Sequence, residues 1–284
     1  MRIAIVGGER FYDFQSLKKE RCLAYLLREQ PRTALAFSGV PWNQYLLDDL
    51  LEMDDAELPK VVIFTDLSTV TYAQYMEIRS RWLKDGRVVV WMWRPGVFAE
   101  DGAKIEKDLG IALNAKMYGK RAFADGRSND ALMRGIKGTV MPSYPSYHYS
   151  NAPVCEALPS CGWEALAPFE DADVPALSVR RTGDCTEIYT SAPGGITPQL
   201  CRNMAREAGF APIVESDDIS GFGSGIFYLL AQSDGVKRIR IPEGMRLVKV
   251  FCGPEYEEKD GCFEVSMRRG DLSIAIIDRK GTEQ

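Results

Sequence analysis

Two runs, Val61 to Phe64 and Val88 to Trp93, are apolar at every position. Such strands have no solvent face, which predicts a parallel sheet with helices crossing over both sides. The sequence between them supplies a crossover. Thr71 and Gln74 stand at capping-box spacing, Tyr72, Tyr75, Met76, Trp82 and Leu83 recur at helical intervals, and Gly86 suits the left-handed residue that closes a helix. Ile3 to Val6, closed by Gly7-Gly8, predicts a further buried strand. Leu23, Leu26, Leu27, Ala34, Leu35 and Phe37 predict a helix that Pro31 kinks or interrupts, because proline has no N–H to donate, and that Gly39 and Pro41 stop. Glu100 to Gly110 predicts a short amphipathic helix around Ile105 and Leu109. Strands alternating with helices in this way predict an α/β fold.

The second half is built differently. Met141 to Cys161, rich in Pro, Ser and Tyr, predicts a long surface excursion. Strands follow at Ala176 to Val179 and Glu187 to Tyr189, then a helix from Thr197, with Pro198 in its first turn and Gly209 closing it. From Gly225 onward, Ile226 to Leu230, Ile239 to Ile241, Leu247 to Phe251, Phe263 to Met267 and Leu272 to Ile277 alternate with turn signals, which predicts an antiparallel β tail. Ser-Gly-Phe-Gly-Ser-Gly, ending at Gly225, reads as a flexible connection into that tail. The expected division is an α/β domain over 1–215 and a β extension packed on it over 216–284.

The charge balance narrows the partners. A net charge of −5 offers no general attraction for nucleic acid or anionic lipid, and no run approaches the ~20 apolar residues that span a bilayer. The opening Met-Arg-Ile-Ala-Ile-Val runs into a strand, not a secretion signal, which predicts a cytoplasmic protein. Seven scattered cysteines without a C-x-x-C pair, and one histidine, predict reduced thiols and no structural zinc or other cofactor. Asp48-Asp49 and Asp54-Asp55 lack a spaced third ligand and read as helix-end charges.

Several stretches, in order, resemble the β-galactosidase trimerisation-type domain of glycoside hydrolases, within the glutamine-amidotransferase-like superfamily. They are Ser38-Gly39-Val40-Pro41-Trp42 through Asp48-Asp49-Leu50-Leu51, Lys60 to Leu67, Lys84-Asp85-Gly86-Arg87 through Trp91, Arg94-Pro95-Gly96 with Asp101-Gly102, and Thr190-Ser191-Ala192-Pro193 through Ala208-Gly209. The resemblance implies a flavodoxin-like (class I glutamine-amidotransferase-like) parallel sheet and a carbohydrate-processing context. It also implies a role in self-association, as dimer or trimer, or in docking beside a glycoside hydrolase barrel. The barrel with its paired carboxylates, typically ~250 residues, does not fit in 284 residues beside this domain. The chain is then either an excised segment or a free-standing relative.

An active amidotransferase of this fold needs a cysteine on the sharp turn after a central strand, with a histidine to take its proton. Val88 to Trp93 delivers Trp93, Arg94 and Pro95 to that turn, and no cysteine, so an accessory module is expected over an enzyme. Ligands of open α/β sheets gather outside the carboxyl ends of the strands, which here assembles Glu9, Asp66, Trp93 and Arg94. An acid, a guanidinium and an indole suit a polyol or carboxylated sugar, for a hydrolase or a carbohydrate-binding module. Alternatively, Arg94 and Asp66 pair locally while Trp93 fills core. His148, among Tyr144, Tyr147 and Tyr149, is either a general base in an aromatic pocket or a loop histidine packed by tyrosines. Trp42, Tyr45, Trp91 and Trp163 are the candidate interface, with core packing as the alternative.

Overall fold

The computed structural model describes residues 2–8, 25–118, 123–124, 128–140, 153–170, 172–259 and 262–279. The first unit runs β1 (Ile3–Gly7), α1 (Gln30–Ala36), β2 (Trp42–Leu46), α2 (Leu47–Glu52), β3 (Val61–Asp66), α3 (Tyr72–Trp82), β4 (Val88–Met92) and α4 (Gly102–Leu109). It continues through β5 (Ile111–Tyr118), β6 (Phe123–Ala124), β7 (Gly138–Thr139), β8 (Pro153–Ala157), β9 (Glu164–Pro168), β10 (Pro175–Thr182), β11 (Cys185–Thr190) and α5 (Pro198–Glu207). Seven of these strands make one sheet in the order β2-β1-β3-β4-β11-β10-β9. The strands from β2 to β11 are parallel, and β10 and β9 extend the sheet antiparallel.

Strand pleat divides the core in two. Ile3, Ile5, Val61, Ile63, Val88 and Val90 point to one face, where they meet Ala34 and Leu35 of α1 and Leu200, Cys201 and Met204 of α5. Ala4, Val6, Val62, Phe64, Val89 and Trp91 point to the other, against Leu47 and Leu50 of α2, Tyr75, Ile78 and Trp82 of α3, and Ile105 and Leu109 of α4. This double cover is why β3 and β4 are buried at every position.

The capping box at Thr71 forms as expected: its hydroxyl accepts from Gln74 N while the Gln74 side chain accepts from Thr71 N. Pro31 marks the expected interruption. It sits in the first turn of α1, where its missing N–H has no partner to lose, and the preceding Tyr25–Glu29 forms a π-helical turn. Past Gly39 and Pro41 the chain forms the edge strand β2, which the sequence reading did not include. Within the expected excursion, Pro153–Ala157 is a strand, β8, paired antiparallel with β5, and Cys155 and Ala157 are buried.

The last unit comprises β12 (Ile219–Gly223), β13 (Ile226–Leu230), β14 (Gly235–Ile239), β15 (Met245–Cys252), β16 (Glu257–Lys259), β17 (Cys262–Met267) and β18 (Leu272–Arg279). All pairings are antiparallel, in a four-stranded sheet β12-β13-β18-β15 and a three-stranded sheet β14-β17-β16. Phe227, Leu229, Ala275 and Ile277 of the first meet Ile239, Val265 and Met267 of the second. The expected flexible glycine connection is instead a hairpin. Ser224 and Gly225 both have positive φ, 50° and 77°, the two-residue turn whose twist matches its strands. The strand expected at Ile239 to Ile241 ends at Ile239. Ile213 and Val214 already belong to the core of this unit, and their N–H groups donate to Gly39 O (2.8 and 3.3 Å), tying it to the first.

Candidate functional site

The carboxyl ends of the parallel strands carry two separate polar clusters. The first closes the gap between β1 and β3, where the order of the strands reverses and ligands of such sheets collect. Asp66 ends β3, and its side chain is wholly buried. Oδ1 accepts from Ser68 Oγ at 3.0 Å. Oδ2 lies 3.6 Å from Arg28 Nη2 and has no hydrogen-bond partner among the described residues. Burial raises the Asp66 carboxyl from 3.8 to about 6, against the opposing pull of Ser68 and Arg28. Arg28 also donates to Gly8 O at 3.1 Å, and Gly8 N donates to Asp66 O at 2.7 Å. A Cβ on Gly8 would stand 2.7 Å from Asp66 O, so the glycine is required by the approach of β1 to β3.

The second cluster surrounds the turn after β4. Trp93 holds φ at +61°, a conformation strained for a bulky side chain. Its N–H donates to Thr190 O at 2.8 Å and its carbonyl accepts from Tyr189 Oη at 2.5 Å, while the indole packs into the first core. Arg94 pairs with Glu106 at 3.2 Å. Cys155 Sγ lies 4.0 Å from Glu106 Oε1, and burial pushes the thiol up to about 11. Burial also lifts Tyr189 well above the usual phenol range, so its hydroxyl stays a donor.

The site expected from sequence is thus divided. Asp66 pairs with Arg28 and Arg94 with Glu106, so the proposed Asp66–Arg94 pair is replaced by two others, and Trp93 does fill core. Glu9 and His148, with the tyrosines around His148, lie outside the described residues. Arg28, Glu106 and Tyr189 are not among the candidates read from the sequence, because each reaches its cluster from another element and has no spacing motif. Among the acidic pairs, Asp55 binds Arg81 and Lys84, and Asp48 and Asp49 lie in the first turn of α2.

The candidate interface is corrected at two of its four positions. Trp91 stacks on Phe64 at 5.2 Å and donates to Glu187 Oε1 at 3.1 Å, inside the second core. Trp163 donates to Leu109 O at 2.7 Å beneath the Arg180 guanidinium, 4.4 Å from its ring centroid. A sheet covered on both faces has room for both indoles, so neither marks an interface. Trp42 and Tyr45, on the edge strand, remain partly exposed.

These features define a mixed α/β protein with a mostly parallel seven-stranded sheet and an antiparallel two-sheet unit joined to it. No protein-family model and no curated protein matches the chain. Solved structures do. A catalytic mutant of a GH42 β-galactosidase from G. stearothermophilus superposes with a TM-score of 0.58 at 14% identity, over 98% of this chain and 40% of that one. The β-galactosidase of Rahnella sp. R3 gives 0.56 at 15%, over 98% and 41%. That of Bacillus circulans sp. alkalophilus gives 0.55 at 13%, over 96% and 41%. The likeness is one of fold, and this chain spans about two fifths of the length of each.

Proposed function

We propose that the chain is a non-catalytic accessory domain of the β-galactosidase trimerisation type, acting in carbohydrate processing by associating with itself and with a glycoside hydrolase barrel. Its sheet is flavodoxin-like: one strand lies outside β1 on one side, and three follow in parallel on the other. The observation that carries the reading is the turn after β4. Where a working amidotransferase presents a thiol, this chain holds the strained Trp93 with its ring in the core, followed by an Arg94 neutralised by Glu106. The thiol beside this turn, Cys155, is buried and protonated at neutral pH, so it is a poor nucleophile. We place the protein in the cytoplasm, a setting that suits the six described cysteines, all free thiols.

Assays of the chain with glutamine and with aryl galactosides test this directly. No turnover is expected; turnover that Cys155→Ser abolishes would overturn the reading.

A second reading is favoured by one observation, the buried Asp66 Oδ2 at the strand-order reversal, which is ion-paired with Arg28 but accepts no hydrogen bond from the described residues. It is a subsite for the hydroxyl of a sugar or other polyol, which would donate to that oxygen. Titration calorimetry with monosaccharides should then give heat that Asp66→Asn removes, and flat titrations reject it.

A further inference from the structure

The four-stranded sheet of the β tail packs one face on its companion sheet and turns the other outward, and the middle of that outer face, on β13 and β18, is apolar, bordered on β15 by Lys249 opposite Ile276 and by Arg246 opposite Asp278. The register sets Ile226 beside Ile276, Tyr228 beside Ile274 and Leu230 beside Leu272, so alternate residues of β13 and β18 make one continuous block. Ile226 is 50% exposed, Tyr228 42%, Leu272 42% and Ile276 39%. Opposite Tyr228, on β12, stands Gly221, and a Cβ there would lie 2.5 Å from the tyrosine ring. The ring lies across the glycine, which flattens the face. At its border, Val248 and Phe251 fall at the two irregularities of edge strand β15 and are largely exposed.

The bulges and the exposed Lys249 spoil β15 for pairing with a further strand, which leaves the face as the adhesive surface. The largest apolar patch on a soluble monomer is commonly about 300–600 Å² and often functional, and this one, with Val248 and Phe251 included, is roughly 500 Å². Two copies stacked on it would remove on the order of 1,000 Å² from water, the lower bound for a specific interface. A flat aliphatic block has its best complement in another of the same kind.

We propose that two copies of this chain pack the outer faces of their four-stranded sheets together about a two-fold axis, with Ile226, Tyr228, Leu272 and Ile276 at the centre. This rests on the self-association part of the proposed function and moves it from Trp42 and Tyr45 to the β tail.

Sedimentation velocity of the full chain through the micromolar range tests it. The wild type should sediment as a dimer, and so should Trp42→Ala. The double variant Ile226→Glu/Ile276→Glu, changed only at exposed positions, should keep the wild-type circular dichroism and raise the dissociation constant at least about 100-fold. A wild-type monomer, or a dimer that the double variant leaves intact, overturns the proposal. A monomer whose β13 and β18 become protected from hydrogen exchange on adding a glycoside hydrolase barrel also overturns it, and leaves the accessory reading standing. Catalytic turnover would sink the accessory reading and leave the dimer untouched.

Discussion

Asp66 is the side chain on which solution conditions should act most. Its folded carboxyl, at about 6, lies above the 3.8 of an unfolded chain, so the native state holds a proton there that the unfolded state has lost. Well below the unfolded value both states are protonated and the group is neutral to stability. As pH rises from about 4 to 6 the unfolded state ionises while the native state keeps its proton, and stability falls; above 6 the native carboxyl ionises too and the cost is constant at roughly 3 kcal/mol. Asp66→Asn removes that dependence while an amide oxygen still accepts from Ser68. Urea denaturation at pH 4.5 and 7.5 should show the variant gaining about 2–3 kcal/mol on the wild type between the two. Parallel curves would mean that the carboxyl is not desolvated. The position of Asp66 at a strand end was legible in the sequence, but its partner Arg28 was not. A guanidinium that crosses from another element leaves no local signal, and the same is true of Glu106 beside Arg94.

At the level of elements, legibility followed the number of covered faces. Val61 to Phe64 of β3 and all of β4 are apolar because both sides are buried, and α3 announces its start by Thr71 and Gln74; it ends at Trp82, and Gly86, expected to close it, takes its left-handed conformation in the turn into β4. β2 has no such pattern: an edge strand with Asn43 and Gln44 exposed gains its strand character from pairing with β1, and that pairing is a tertiary event. The Ser224-Gly225 turn was obscured because serine is an uncommon choice at positive φ, where asparagine is the familiar signal. The legible signals have energetic weight. Thr71→Ala leaves Gln74 N without its hydroxyl partner and should lower stability by about 1 kcal/mol, with the urea midpoint falling and the slope unchanged. Thr71→Ser should retain most of it; equal losses in the two would show that the threonine methyl, not the cap, matters.

For the molecule as a whole, the question is whether the sheet domain and the β tail stand or fall together, and Gly39 decides it. The residue has φ of +67° and lies so close to Val214 that an added Cβ would meet its carbonyl oxygen at 1.9 Å, while the Gly39 carbonyl holds the N–H groups of Ile213 and Val214. Val214 in turn bridges to Ile239 in the tail, so one glycine joins the end of α1 to the third core. Gly86 provides the matched control: its φ is +65°, yet nothing lies within 4 Å of the Cβ it would gain. Gly86→Ala should therefore show the conformational cost alone, about 1 kcal/mol. Gly39→Ala adds the clash with backbone that has no rotamer to move, and should cost at least about 3 kcal/mol and open 209–216 to limited proteolysis. A junction that couples the units should give the wild type one thermal transition and the Gly39 variant two. Equal melting temperatures for the two glycine variants would show that the contact with Val214 yields freely, and that the tail folds without reference to the sheet.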